Sequence, residues 1–244
     1  MKQAITHIQE RIAHAAVHAG RQPNDVKLIG VSKTHPAELV REAYAAGIRQ
    51  FGENRVQEAE SKIAACADLV DIEWHLIGHL QRNKAKKAAQ VFAVIHSVDS
   101  LELAQALSRH AMELGRPAIK ILLQCNVSGE ESKEGLAAAG WEENTTLRAD
   151  IIGLAQAIGA LPGLTLIGLM TVAPYSDDQR TVQGVFQSLR RLRDVLQAEM
   201  PTHILSELSM GMSGDIETAI AEGSTMVRVG RAIFGERTYP EHHS

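Results

Sequence analysis

Short apolar runs and helix-length amphipathic segments alternate along this chain. The first segment places Ile5, Ile8, Ile12, Ala15 and Ala19 three or four residues apart, one helical stripe that Gly20 and Pro23 end. This predicts an N-terminal helix over residues 1–20. Apolar runs of strand length follow at 26–32, 49–52, 73–78, 91–98, 118–127, 164–170, 203–210 and 225–230, giving eight candidate strands. Helical patterns fill the gaps, the clearest at 181–197, where Val182, Val185, Phe186, Leu189, Leu192, Val195 and Leu196 share a face. Eight strand–helix alternations imply parallel strands, and continuous apolar runs such as KILLQ suit a sheet covered on both faces. The expected fold is an α/β protein, a single (β/α)8 TIM barrel over 1–244 with an extra N-terminal helix and a tail at 239–244. A doubly wound open sheet is second, because VKLIGVSKTHP lacks the glycine fingerprint that usually follows such a fold's first strand.

Composition narrows the function more than the fold. The 244 residues carry 25 Lys and Arg against 29 Asp and Glu, a formal charge of −4, and 45% are hydrophobic. Such a chain can bury a full core, which excludes disorder as its main state. It is not basic enough to work by coating nucleic acid, so any anion site must be local. Cys66 and Cys125 are too few for a disulfide framework. The N-terminal segment places Glu10 and Arg11 where an export signal needs apolar residues, so a cytoplasmic location is expected. Residues 151–176 contain no charge and are long enough to span a bilayer, but Pro162-Gly163 divides them into a helix end and a buried strand, and no membrane partner is expected.

In a barrel of this kind the active face lies where strands end. Lys33 directly follows the first apolar run. A lysine held at a low-dielectric mouth loses solvation of its ammonium form and becomes nucleophilic, as a Schiff base with an aldehyde requires; a solvated strand-end lysine is the plainer alternative. Near the end of the chain, LSMGMSGDIETAIAEG sets Ser213 and Gly214 at the start of a helix, with Asp215 and Glu217 in its first turn, and Gly230-Arg231 follow the last strand. These two loops occupy the recurrent phosphate position of TIM barrels, although such glycines also serve as simple turns. Strand alternation points Arg228 into the barrel, where it requires an acceptor, either a cofactor's pyridine nitrogen or a carboxylate.

The strings GVSKT at 30–34, FGEN at 51–54, WHLIG at 74–78, SGEESKEG at 128–135, GLM at 168–170, SMGMSGDIETAI at 209–220 and GSTMVRVGRAIFG at 223–235 together resemble the pyridoxal phosphate homeostasis protein family, also called the YggS/PROSC family. The resemblance spans nearly the whole chain. It implies a barrel similar to the N-terminal domain of the fold-type III alanine racemases, with pyridoxal 5′-phosphate (PLP) as cofactor. By the motif match Lys33 would form the internal aldimine, Ser213 and the backbone of Gly230 and Arg231 would hold the phosphate, Arg228 would face the pyridine nitrogen, and Asn54 and His75 would lie around the ring. An arginine at that nitrogen leaves it unprotonated and weakens the ring as an electron sink. Racemases add a second acid/base from a C-terminal domain of the partner subunit, and no room for one is expected before Ser244. The resemblance therefore implies a PLP carrier or buffer in vitamin B6 homeostasis rather than an enzyme, serving PLP-dependent apoenzymes as a monomer or weak homodimer. An amino-acid racemase-like enzyme and a sensor that never bonds its ligand covalently are the alternatives.

Other features read more plainly. Arg82, Lys84, Lys86 and Lys87 form a basic cluster without interleaved aromatics, the pattern of a solvated helix face rather than a nucleic-acid surface. His75 and His79 stand too far apart along a strand to share a metal. His79 also occupies a position where the family usually has proline. Lys133, in the polar stretch after the fifth strand, reads as a surface loop, a mobile lid or a second aldehyde-reactive amine, and His242-His243 read as disordered surface.

Overall fold

The computed structural model describes residues 1–176 and 178–236, so the 239–244 tail and His242-His243 lie outside the described residues. Helix α1 (Lys2–His18) leads into β1 (Lys27–Val31), α2 (Ala37–Ala45), β2 (Gln50–Glu53), α3 (Val56–Ala65), β3 (Glu73–Leu76), α4 (Ala85–Val91), β4 (Val94–Val98) and α5 (Leu101–Leu114). The second half follows with β5 (Ile119–Asn126), the two-residue β6 (Leu136–Ala137), α6 (Thr145–Gly159), β7 (Leu164–Met170), α7 (Gln179–Glu199), β8 (Glu207–Ser209), α8 (Ile216–Ala221), β9 (Met226–Val229) and α9 (Arg231–Phe234). The sheet runs β4-β3-β2-β1-β9-β8-β7-β5, and a β4–β5 pairing closes it into an eight-stranded parallel barrel. The eight expected strands are all present, and β6 adds a short pairing on β5 beside the 128–135 loop.

Two expected strands lose three or more residues from the apolar runs that suggested them. The run at 91–98 contributes only its last five residues, because the buried Ala85, Ala88 and Ala89 carry the α4 helix through Val91. The run at 203–210 contributes only Glu207–Ser209: the His203 N–H closes a turn onto the Met200 carbonyl, and Gln197 grips both the His203 carbonyl and the Leu205 N–H. Ser213 and Gly214 also precede their helix rather than open it, since α8 begins at Ile216 with Asp215 as its N-cap.

Burial separates two apolar layers. The larger lies between barrel and helices and holds Phe51, Phe92, Phe186, Val227 and Val229. The smaller fills the barrel interior with Val94, Leu122 and Met170. Val227 and Val229 therefore face outward while Arg228 between them faces in, as strand alternation requires. Around the outside, α7 buries Val182, Val185, Phe186, Leu189, Leu192 and Leu196 at helical spacing, and Asp178 caps its start by accepting the Arg180 N–H. Residues 151–176 divide as expected: α6 ends at Gly159, and after the Pro162-Gly163 turn the chain enters β7. No helix of the described residues is long and apolar enough to cross a membrane.

Candidate functional site

Strand β1 carries Lys33 to the C-terminal mouth of the barrel, and a buried charged network holds the segment around it. The Ser32 hydroxyl donates to Glu53 Oε1 at 2.6 Å. Lys62 of α3 donates to the same Glu53 oxygen at 2.8 Å, to the Ser32 carbonyl at 2.6 Å and to Glu58 Oε1 at 2.7 Å. Glu58 in turn accepts the N–H of Thr34. Thr34 has φ of 66°, a left-handed conformation that costs a β-branched residue on the order of 1–3 kcal/mol, so neighbouring contacts must hold it there. Burial pushes the Glu53 carboxyl above its ordinary range, and the charge of Lys62 opposes that shift.

The Ser213 loop is held from outside the barrel. Arg11 of α1 donates through Nη1 and Nη2 to the Ser213 carbonyl, both at 3.2 Å, and pairs with both Glu217 oxygens at 2.7 and 2.8 Å. Asp215 accepts the Met212 N–H across the same loop, and burial raises its carboxyl pKa. Gly230 follows β9 and caps α9.

Arg228 lies on the interior wall beneath these loops. Its Nη1 donates to Ser209 Oγ at 2.6 Å and its Nη2 to the Thr171 carbonyl at 2.8 Å. Desolvation lowers its pKa to about 10, against the raising influence of Asp215. A guanidinium has five N–H donors, more than these two contacts use.

One cavity of about 690 Å³ joins these parts. Lys33, Ser213, Arg228, Gly230 and Arg231 line it, so five of the seven residues expected at the site converge there. Lys133 and the fully exposed Tyr175 reach the same cavity from two other loops. Asn54 and His75 are not part of its wall. Asn54 packs under Gly78, where an added Cβ would stand 2.4 Å from the Asn54 carbonyl, which explains the glycine of WHLIG. His75 is fully buried inside the barrel, bonded to His96 and Glu73. His79 lies apart from it, 3.8 Å from Asp99 and 3.7 Å from Glu134.

The profile of the alanine racemase N-terminal domain matches residues 4–238. A pyridoxal phosphate homeostasis protein of Pseudomonas aeruginosa is 45% identical over 235 residues, 96% of this chain and 95% of that one. Its Escherichia coli K12 counterpart is 42% identical over 241 residues, covering 96% of each chain. This chain belongs to the pyridoxal phosphate homeostasis protein family. Among solved structures, PipY of Synechococcus elongatus with PLP bound matches with a TM-score of 0.77 and 45% identity, over 92% of this chain and 100% of that one. Clostridium difficile alanine racemase, at 17% identity and a TM-score of 0.67 over 96% of this chain and 57% of that one, shares the fold.

Within this family member, sequence patterning pointed to the cavity residues through their places at strand ends. It missed Glu53, Glu58 and Lys62, whose grouping requires β1, β2 and α3 to meet. It also missed Arg11 as a support of the Ser213 loop, although the i, i+4 spacing of Ile8 and Ile12 fixes which side of α1 is buried.

Proposed function

We propose that this protein binds PLP covalently through Lys33 and carries or buffers it, without efficient turnover of its own. The observation that carries this reading is the convergence of a lysine, a hydroxyl loop, a glycine turn and a buried arginine on one cavity at the barrel mouth. The donor set fits the cofactor: an amine for the aldehyde, Ser213 with the Gly230-Arg231 turn for the phosphate, and a donor-only group for the pyridine nitrogen. Bound there, the cofactor supplies an aldehyde for amine capture and a ring that can withdraw electrons. The Glu53–Lys62–Glu58 network holds the Lys33 segment, Arg11 holds the Ser213 loop, and Arg228 would offer the ring nitrogen a donor that does not give up its proton.

This last feature separates the reading from a racemase-like enzyme. An arginine at the pyridine nitrogen does not protonate it, which disfavours carbanion chemistry. The names of the relatives at 42–45% identity support homeostasis as the role. A cytoplasmic location, PLP-dependent apoenzymes as recipients, a monomer or weak homodimer, and one domain throughout complete the proposal.

The test is the absorption spectrum with added PLP, before and after borohydride, followed by peptide mapping. A visible band abolished by reduction, with the label on Lys33, is expected, and Lys33→Ala should lose both while staying folded. An unchanged band in Lys33→Ala would overturn the assignment of Lys33. Rapid exchange of an amino acid's α-hydrogen with solvent would favour the enzyme instead.

A further inference from the structure

Beneath the cavity a chain of buried polar groups crosses the barrel interior. From Arg228 the contacts run to Ser209 Oγ at 2.6 Å, from Ser209 Oγ to His96 Nδ1 at 2.8 Å, and from His96 Nε2 to His75 Nδ1 at 2.8 Å. The last link joins His75 Nε2 to Glu73 Oε1 at 3.1 Å. Ser209, His75 and His96 are fully buried, whereas Glu73 opens β3 at the opposite mouth and is partly exposed.

The two ends fix every proton between them. A guanidinium only donates and a carboxylate only accepts. The Glu73 carboxyl is held down at about 2 by the His75 N–H and by Lys120, which donates to Glu73 Oε2 at 3.1 Å, so it is ionised near neutrality. His75 must then donate from Nε2. A neutral His75 accepts at Nδ1, which makes His96 donate from Nε2 and accept at Nδ1. The Ser209 hydroxyl donates to that nitrogen while its oxygen accepts from Arg228. Each of the four contacts then holds one proton, and every donor points toward Glu73.

Both rings stay neutral in this scheme. Burial lowers the pKa of each, and the groups facing them divide by sign: Glu73 opposes the shift at His75, while Lys27 and Lys120 add to it, and Lys27 and Arg228 add to it at His96. Lys27 is itself paired with Glu207 at 2.8 Å. A proton added to His75 would oppose its Nδ1–H to the His96 Nε2–H and force a reversal along the line.

We propose that Ser209, His96 and His75 form a one-way hydrogen-bond relay that positions Arg228 and couples it electrically to the Glu73 carboxylate at the far mouth. The inference rests on the reading of Arg228 as the partner of the pyridine nitrogen. Its physical advantage is specific. A carboxylate touching Arg228 directly would compete with the ligand for the guanidinium's donors, whereas Asp215 acts on it without such a contact and the relay adds the influence of Glu73 through hydrogen bonds, which leaves the remaining donors free of a direct ion pair. Polarised chains of this kind also strengthen each bond, by about 10–30% per bond.

Two measurements test it. In the protein without PLP, 15N NMR of the imidazoles should show both rings as neutral Nε2–H tautomers that do not titrate between about pH 5.5 and 8. An Nδ1–H tautomer at His96, or either ring titrating in that window, would overturn the relay whatever the cofactor does. In the PLP-loaded protein, Glu73→Gln keeps an oxygen acceptor and removes the charge, while His96→Leu cuts the line. Both should move the cofactor's absorption maximum and change its retention about fivefold, the equivalent of one hydrogen bond, with Lys33 still modified. Glu73→Gln sits at a partly exposed rim and serves if His96→Leu fails to fold. An unmoved spectrum with unchanged retention in Glu73→Gln would overturn the coupling. Failure of the unsubstituted protein to take up PLP would defeat the cofactor reading and the coupling with it, and leave the tautomer measurement to decide the relay alone.

Discussion

Lys62 carries more of this site than its absence from the cavity wall suggests. It is 5% exposed and satisfies the Ser32 carbonyl and two carboxylates, one of them fully buried. Removing one partner of a buried ion pair costs about 3–5 kcal/mol, because the other charge is left without compensation. Lys62→Ala should therefore lower the unfolding free energy measured by urea titration by that amount and weaken PLP retention, since Glu58, released from Lys62, no longer fixes the Thr34 N–H. Retention unchanged in a destabilised variant would separate the network from the Lys33 segment. Arg228→Ala should shift the cofactor spectrum or loosen its hold; tight binding with an unaltered spectrum would mark the arginine as structural. The Lys62 network was not legible at the single residue. Arg228 could be read from alternation within MVRV, but Ser209, its partner, is separated from His96 by 113 residues, and only barrel closure brings them together.

Between elements, the unexpected connection is that α1 and the turn after it are fastened to both ends of α8. Arg11 grips Ser213 and Glu217, and Arg21 donates to the Ser224 carbonyl at 2.7 Å and the Ile220 carbonyl at 3.3 Å. The sequence shows an amphipathic helix before the first strand, and the buried Ile5, Ile8, Ile12 and Ala15 match that stripe, but nothing local says which helix it covers. Arg11→Ala should reduce PLP retention severalfold, read by dialysis and absorbance, with at most about 1 kcal/mol lost in stability because the Arg11–Glu217 pair is partly solvated. Charge reversal at Lys84, Lys86 and Lys87 should leave binding unchanged, since α4 turns its alanines inward and Lys86 and Lys87 outward. A large loss would place that face in the site. The strands were readable because continuous apolar runs bounded by turn residues mark buried parallel strands. The ends at 91–93 and 203–206 were not, because an apolar residue closing a helix or entering a turn looks the same as one opening a strand. The two residues of β6 are too few to carry a pattern.

For the molecule as a whole, the buried histidines set how folding responds to acid. His75 and His96 have folded pKa values below the ordinary imidazole value, both through burial. As the pH falls below about 6.5 the unfolded chain takes up a proton at each ring that the folded chain refuses, so their contribution to stability is present above that pH and is lost below it. Each ring contributes up to about 1.4 kcal/mol per pH unit over the range in which it stays neutral in the fold while the unfolded chain takes up its proton. Against the roughly 5–15 kcal/mol typical of a domain, a slope of that size matters. Glu73 extends the loss: its carboxyl is depressed to about 2, so its contribution is present above about pH 4.5 and disappears as the pH falls toward 2. Thermal unfolding of the protein without PLP from pH 7.5 to 5 should show the melting temperature falling, and His96→Gln should flatten that fall because one of the two refused protons is gone. A melting temperature independent of pH across that range would mean that the two rings take up protons inside the barrel as readily as in the unfolded chain, and the one-way order of donors from Arg228 to Glu73 could not persist there.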